Sequence, residues 1–363
     1  MAANNPPINP VVSDSPTLRL PDRKRDRALD IAKGIGITLI VLGHALFGVQ
    51  GAFGADRVLT ALLIVIYSFH VALFFFIAGA LSGSAARESS DRFLVRMLRN
   101  VVHPYFLWSF VLVAAHYVMS DYTNKRVEHF DPLTFFYEPP AVMWFLYVLL
   151  FAYVALRLTA SFPPRTRLVI AVVLCVAGYF LDVWLWGYLR FVGLFLLTAQ
   201  LGVPRKPLVC SRQLIAASCL VMLATAWGAW IQADQRMEGY PAYSLGYLPA
   251  AFAGSHLILF VATKFSEATV STSIRLAISG ALSYIGQRSM AIFVVHILVT
   301  AGVRIALMHL KITQPWVLCT AATVLGVLLP LSMATAAERF GVGKWLGWPA
   351  ARRAIKRQTN LQQ

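Results

Sequence analysis

At 363 residues, 58% of them hydrophobic and only 13% charged, with a mean hydropathy of +0.66, the chain is more apolar than any soluble core requires, which excludes an ordinary soluble domain. The formal net charge of +16 would suit nucleic acid in a polar chain. In this one the basic residues belong to the loops of an integral membrane protein, and no nucleic-acid partner is expected.

Residues 1–27 form a polar, proline-bearing stretch without an apolar core, neither signal peptide nor targeting helix, and are expected to be a flexible cytoplasmic tail. Ten apolar runs come after it, at 31–49, 59–83, 98–119, 141–159, 167–186, 188–203, 212–232, 246–263, 288–309 and 316–338, each near the roughly 20 residues a span needs. The predicted fold is therefore all-α: a polytopic membrane helix bundle of about ten transmembrane helices over 28–340, closed by a basic tail over 341–363. Cys175, Cys210, Cys219 and Cys319 show neither a CxxC nor a zinc spacing and read as packing residues. No internal repeat is visible.

Alternate loops divide the charge. One set carries Arg19 to Arg27, then Arg87, Arg92, Arg96 and Arg99, then Arg157, Arg165 and Arg167, then Arg205, Lys206 and Arg212, then Lys264, Arg275 and Arg288, and finally the C-terminal basic run. The other set holds only Arg57, Lys125, Arg126, Arg190, Arg236 and Lys311. Positive charge gathers on the inner side, so both termini are expected in the cytoplasm, which an even number of spans satisfies. The outer loops near 120–140 and 232–245 are rich in aromatic, acidic and proline residues; they either anchor at the interface or face a polar acceptor.

Within the first run, Lys33 and His44 stand eleven positions apart. At 100° and 1.5 Å per residue this returns to within roughly 20° of the same direction and rises about 16 Å, so both occupy one face. Lys33 falls at the inner interface, as a snorkelling anchor or a functional cation, and His44 lies about two-thirds of the way across. Gly36 and Gly43 line a neighbouring stripe that admits another helix or a ligand closely. His70 and His296 reach similar depths in their own spans, and ionisable residues at that level usually line an interior cavity. No carboxylate or cysteine joins the three histidines at ligand spacing, so no metal is expected. In "DRFLVRMLRNVVHPY", Arg92, Arg96 and Arg99 recur at i, i+4 and i+7, a cationic stripe suited either to phosphates or to acidic lipid.

Taken together, "RALDIAKGIGITLIVLGH", "FHVALFFFIAGAL", Arg96 and Arg99 followed by "HPYFLW", "MWFLYVLLF" and "IGQRSMAIFVVH" resemble the acyltransferase-3 family of bacterial membrane acyltransferases, most closely its branch similar to fucose 4-O-acetylases. The resemblance runs from about residue 25 to 338. It departs where the second-span motif commonly ends in serine-glycine and here reads Ala78-Gly79. The sequence stops soon after the last run, so the esterase-like domain that some relatives append is not expected.

The resemblance implies an inner-membrane O-acyltransferase that takes an acyl group, most often acetyl, from cytoplasmic acyl-CoA to a hydroxyl of a cell-surface or lipid-linked carbohydrate such as an exopolysaccharide or a lipopolysaccharide O-chain. On that basis His44, with His70 and Lys33, is the catalytic candidate. Its imidazole serves as general base on the acceptor or as a transient acyl carrier. Arg92, Arg96 and Arg99 are the candidates for the CoA phosphates. His296 and Asp30 are the candidate acceptor contacts; the alternative for Asp30 is that it only marks the helix start or pairs with Lys33. The rival reading is a transporter or flippase for a lipid-linked sugar or an anion, which the same midplane histidines would serve.

Overall fold

The computed structural model describes residues 26–54, 56–119, 132–180, 186–233, 245–267 and 273–348, and among these the elements are all helical. In chain order they are α1 (Arg27–Phe53), α2 (Arg57–Tyr67), α3 (His70–Leu81), α4 (Ser90–Met97), α5 (His103–Val118), α6 (Trp144–Leu158), α7 (Pro164–Phe180), α8 (Leu189–Leu201), α9 (Lys206–Val209), α10 (Arg212–Gln232), α11 (Leu248–Ser266), α12 (Ser273–Gln287), α13 (Ser289–His309) and α14 (Pro315–Arg339), joined in places by short 3₁₀ turns. Eight helical stretches among the described residues are long and apolar enough to cross a membrane. The protein is a polytopic helical membrane protein.

The two runs expected at 167–186 and 188–203 appear as α7 and the thirteen-residue α8. At 1.5 Å per residue α8 is about 20 Å long, short of the roughly 30 Å hydrocarbon core. Every residue from Arg190 to Leu196 is buried, so protein rather than lipid surrounds α8, and a short helix is tolerated there. The opposite case is α10, where Ser218 and Ala229 alone are buried and Leu220, Leu223 and Trp227 are about two-thirds exposed; in hydrocarbon such a face is solvated by lipid.

Central to the bundle is α1. Asp26 caps its start by accepting from the backbone N–H of Ala28 and Leu29, and the helix packs against α2, α3, α11, α12, α13 and α14. The glycine stripe receives a neighbouring helix rather than a ligand: a Cβ at Gly36 would lie 2.9 Å from the side chains of Leu73 and Phe74, and one at Gly43 would lie 2.8 Å from the Tyr67 ring.

Three features differ from the sequence expectation. The second span is broken at Ser68-Phe69, where Phe69 leaves helical geometry with φ −141°. The third begins at Ser90 and carries a π turn over Leu98–Val102, which inserts an extra residue into one turn and rotates the remainder of the helix. Residues 273–287, read from the sequence as part of a basic loop, are a helix whose buried face is Ser279, Ser283 and Gly286. That face is too small and polar to register as an apolar run, yet small residues are what close helix packing needs. At the C-terminal end Trp348 stacks on Trp108 at 5.8 Å, and Trp108 donates its indole N–H to Leu346 O at 2.9 Å. The rest of the expected tails, residues 1–25 and 349–363, and most of the two outer loops lie outside the described residues.

Candidate active site

The break in the second span sets the position of His70. At the start of α3, His70 Nδ1 stands 2.7 Å from Ile66 O, which also accepts the Phe69 backbone N–H at 3.3 Å. A carbonyl only accepts, so Nδ1 carries a proton, and in the neutral ring Nε2 keeps its lone pair. His296 is fixed the same way on α13, its Nδ1 lying 2.7 Å from Phe293 O and 3.1 Å from Ile292 O. His296 is fully buried and its Nε2 has no hydrogen-bond partner among the described residues. Two imidazoles are thus held as the same tautomer by backbone carbonyls one turn away, each with Nε2 as its acceptor nitrogen.

His44 meets His296 directly and His70 by way of Tyr67. Its ring centre is 5.1 Å from that of His296 and 6.2 Å from that of Tyr67, and Tyr67 lies 4.6 Å from His70. Helices α1, α3 and α13, far apart in sequence, therefore bring the three predicted histidines into one cluster. The cluster borders a cavity of about 110 Å³ lined by His44, His70, Phe74, Trp144, Phe145 and Met290. Aromatic walls with two imidazoles facing in suit a reacting group that must be shielded from water. Sequence reasoning passes over Trp144, Phe145 and Tyr67, since an aromatic residue in an apolar run carries no sign of which face it occupies.

The remaining candidates lie elsewhere. Lys33 Nζ is 2.8 Å from the Asp30 carboxylate, one helical turn away, and Asp30 is buried; neither residue lines the histidine cavity. This pair places charge at the start of α1, where a buried carboxylate is tolerated because it is both partnered and near the helix N-terminus. On α4 and the π turn, Arg92 and Arg99 are exposed, whereas Arg96 is half-buried and pairs with Glu88 at 2.9 Å, its guanidinium 5.8 Å from the Tyr153 ring. Arg157 reinforces that corner by donating to Ala86 O at 2.9 Å. Arg96 thus helps hold the 82–88 turn against α6, and the three arginines are not equivalent.

A membrane-embedded helical bundle enclosing a cluster of tautomer-fixed histidines beside a shielded cavity is the architecture of a membrane protein with an interior polar site. Residues 26–335 match the family model described as an acyltransferase domain, and the chain belongs to that family. It is accordingly a multi-pass membrane acyltransferase. No curated protein and no solved structure matches the chain.

Proposed function

We propose that the protein is an O-acyltransferase that moves an acyl group, most simply acetyl, from an acyl-CoA thioester arriving at the basic end of the bundle to a carbohydrate hydroxyl arriving from the other end. The observation that carries this reading is His44: a histidine on the wall of an aromatic cavity, backed by a second imidazole with an unpaired nitrogen, in a chain whose family is that of acyltransferases. His44 removes the hydroxyl proton as the oxygen attacks the thioester carbon, and returns it to the departing thiolate. The competing variant, in which the His44 imidazole carries the acyl group between the two substrates, uses the same atoms.

The His296 ring, 5.1 Å from that of His44, backs it in the reaction, with its unpaired Nε2 as an acceptor when His44 takes up the proton; His70, across the cavity, contributes a second acceptor for the incoming hydroxyl. Arg92 and Arg99 provide exposed positive charge along the approach of an anionic donor, while Lys33 and Asp30 act at the inner end of α1. The acceptor is proposed to be a cell-surface sugar, in keeping with a fucose 4-O-acetylase-like chain, and the setting a bacterial inner membrane.

Transfer of label from acetyl-CoA to glycan in membranes tests this. His44→Gln and His44→Ala should lower the rate about 10²- to 10⁴-fold, the usual worth of a positioned base, with normal insertion and abundance. Native rates in either variant would refute the role of His44, and solute uptake without acylation would favour transport instead.

A further inference from the structure

A second and larger cavity, about 450 Å³, opens where α12, α13 and α14 meet the C-terminal turn. Its walls include Arg288, Met290, Glu338, Arg339, Lys344 and Trp348, three cations against a single carboxylate. Glu338 is already engaged, 2.6 Å from an Arg288 terminal nitrogen, and the Arg288 guanidinium lies 3.7 Å from the Tyr284 ring centre. The side chain of Arg288 is only 9% exposed, yet its Nε–H has no hydrogen-bond partner among the described residues. The same holds for the indole N–H of Trp348, itself 6% exposed. Buried donors are nearly always paired, and a bare one is costly because its desolvation is not repaid. Two in one wall, beneath Arg339 and Lys344 on the rim, describe a pocket lacking its acceptor. Fixed N–H donors and excess positive charge together select a phosphate-type anion.

This pocket is also placed to serve the reaction. Met290 lines both it and the histidine cavity, and Arg288, at the N-cap of α13, lies about 12 Å from His296 along the helix axis. We infer that the cavity seats the phosphate-bearing end of the acyl donor, with the indole and guanidinium N–H groups on phosphate oxygens, while the donor's pantetheine arm passes Met290 to present the thioester to His44. This rests on the reading of acyl-CoA as donor. It assigns the phosphates to Arg288, Arg339, Lys344 and Trp348 rather than to the α4 stripe.

Binding of coenzyme A and of pantetheine to the full-length protein in nanodiscs separates the possibilities. Trp348→Phe, which keeps the ring but removes its N–H, and the double variant Arg339→Gln/Lys344→Gln, whose side chains are exposed, should each weaken coenzyme A binding about tenfold and leave pantetheine binding unchanged. Coenzyme A affinity equal to wild type in both variants overturns the inference, and a loss confined to Arg92→Gln/Arg99→Gln moves the phosphates to α4. A wild-type protein that binds neither ligand overturns the acyl-CoA reading itself. Added phosphatidylglycerol should not compete; if it displaces coenzyme A, the pocket belongs to a lipid headgroup.

Discussion

His296 directs its one proton toward carbonyls of its own helix, so all it can offer His44 is the Nε2 lone pair. In the proposed reaction that makes it a positioning residue, and the consequence is measurable. His296→Ala should lower kcat on the order of 10²-fold, the scale of a small misplacement of a reacting group, with little change in KM for acetyl-CoA. His296→Gln places an amide oxygen near the position of the lost nitrogen and should restore much of that rate. Equal losses in both variants would mean that the residue only fills space. His70 shares the tautomer but faces the cavity directly, so its replacement should alter acceptor KM as well.

Between elements, the decisive contact is the crossing of α1 and α12. A Cβ at Gly34 would overlap the Leu282 carbonyl, and one at Gly286 would overlap the Asp30 carbonyl, so the two backbones touch where only glycine fits. Gly280, on the same α12, faces open space. Gly34→Ala should therefore destabilise the protein by about 1–3 kcal/mol, read as a lower melting temperature in detergent, whereas Gly280→Ala should be neutral or slightly stabilising. Equal melting of the two variants would show that the crossing accommodates a methyl group after all. The same crossing marks the boundary of what sequence conveys. Lys33, His44, His70 and His296 stand out because a polar atom in an apolar run is conspicuous, and the period and rise of a helix fix the shared face and relative depth of the first two. Helix α12 does not, because Ser279, Ser283 and Gly286 are small and polar wherever they occur. The break at Ser68-Phe69 is equally silent, since no proline or glycine marks it, and yet it sets where α3 begins. In the sequence Arg288 is one more inner-loop charge; its unpaired N–H and the cavity beside it exist only once α13, α14 and the C-terminal turn are brought together.

At the scale of the molecule, the sequence expectation is ten crossings, and eight described stretches meet the length and hydropathy of a span without help. Ten and eight are both even, so the charge bias is satisfied either way and reporters on the two termini cannot distinguish them. The difference lies in α7 and α8. Helix α7 exposes Val169, Val173 and Phe180, a lipid-compatible face, and at seventeen residues it is about 26 Å long, nearly a full span. Helix α8 packs along α7 so closely that a Cβ at Gly193 would overlap the Cys175 backbone, and one at Gly178 the backbone of Arg190, which makes the pair an antiparallel hairpin inside the bundle. Arg190 stands at the start of α8, its guanidinium 5.3 Å from the Tyr179 and Phe191 rings, and a single arginine is what the charge bias expects of an outer end. Alkaline phosphatase fused after Gly187 should accordingly be active, and fused after Phe162 or Pro204 inactive. Activity at neither Gly187 nor its flanking sites would make α7 and α8 a re-entrant pair and reduce the crossings to eight, while activity at Phe162 and Pro204 but not Gly187 would invert the whole assignment of sides and place the basic cavity opposite the cytoplasmic thioester it is inferred to hold.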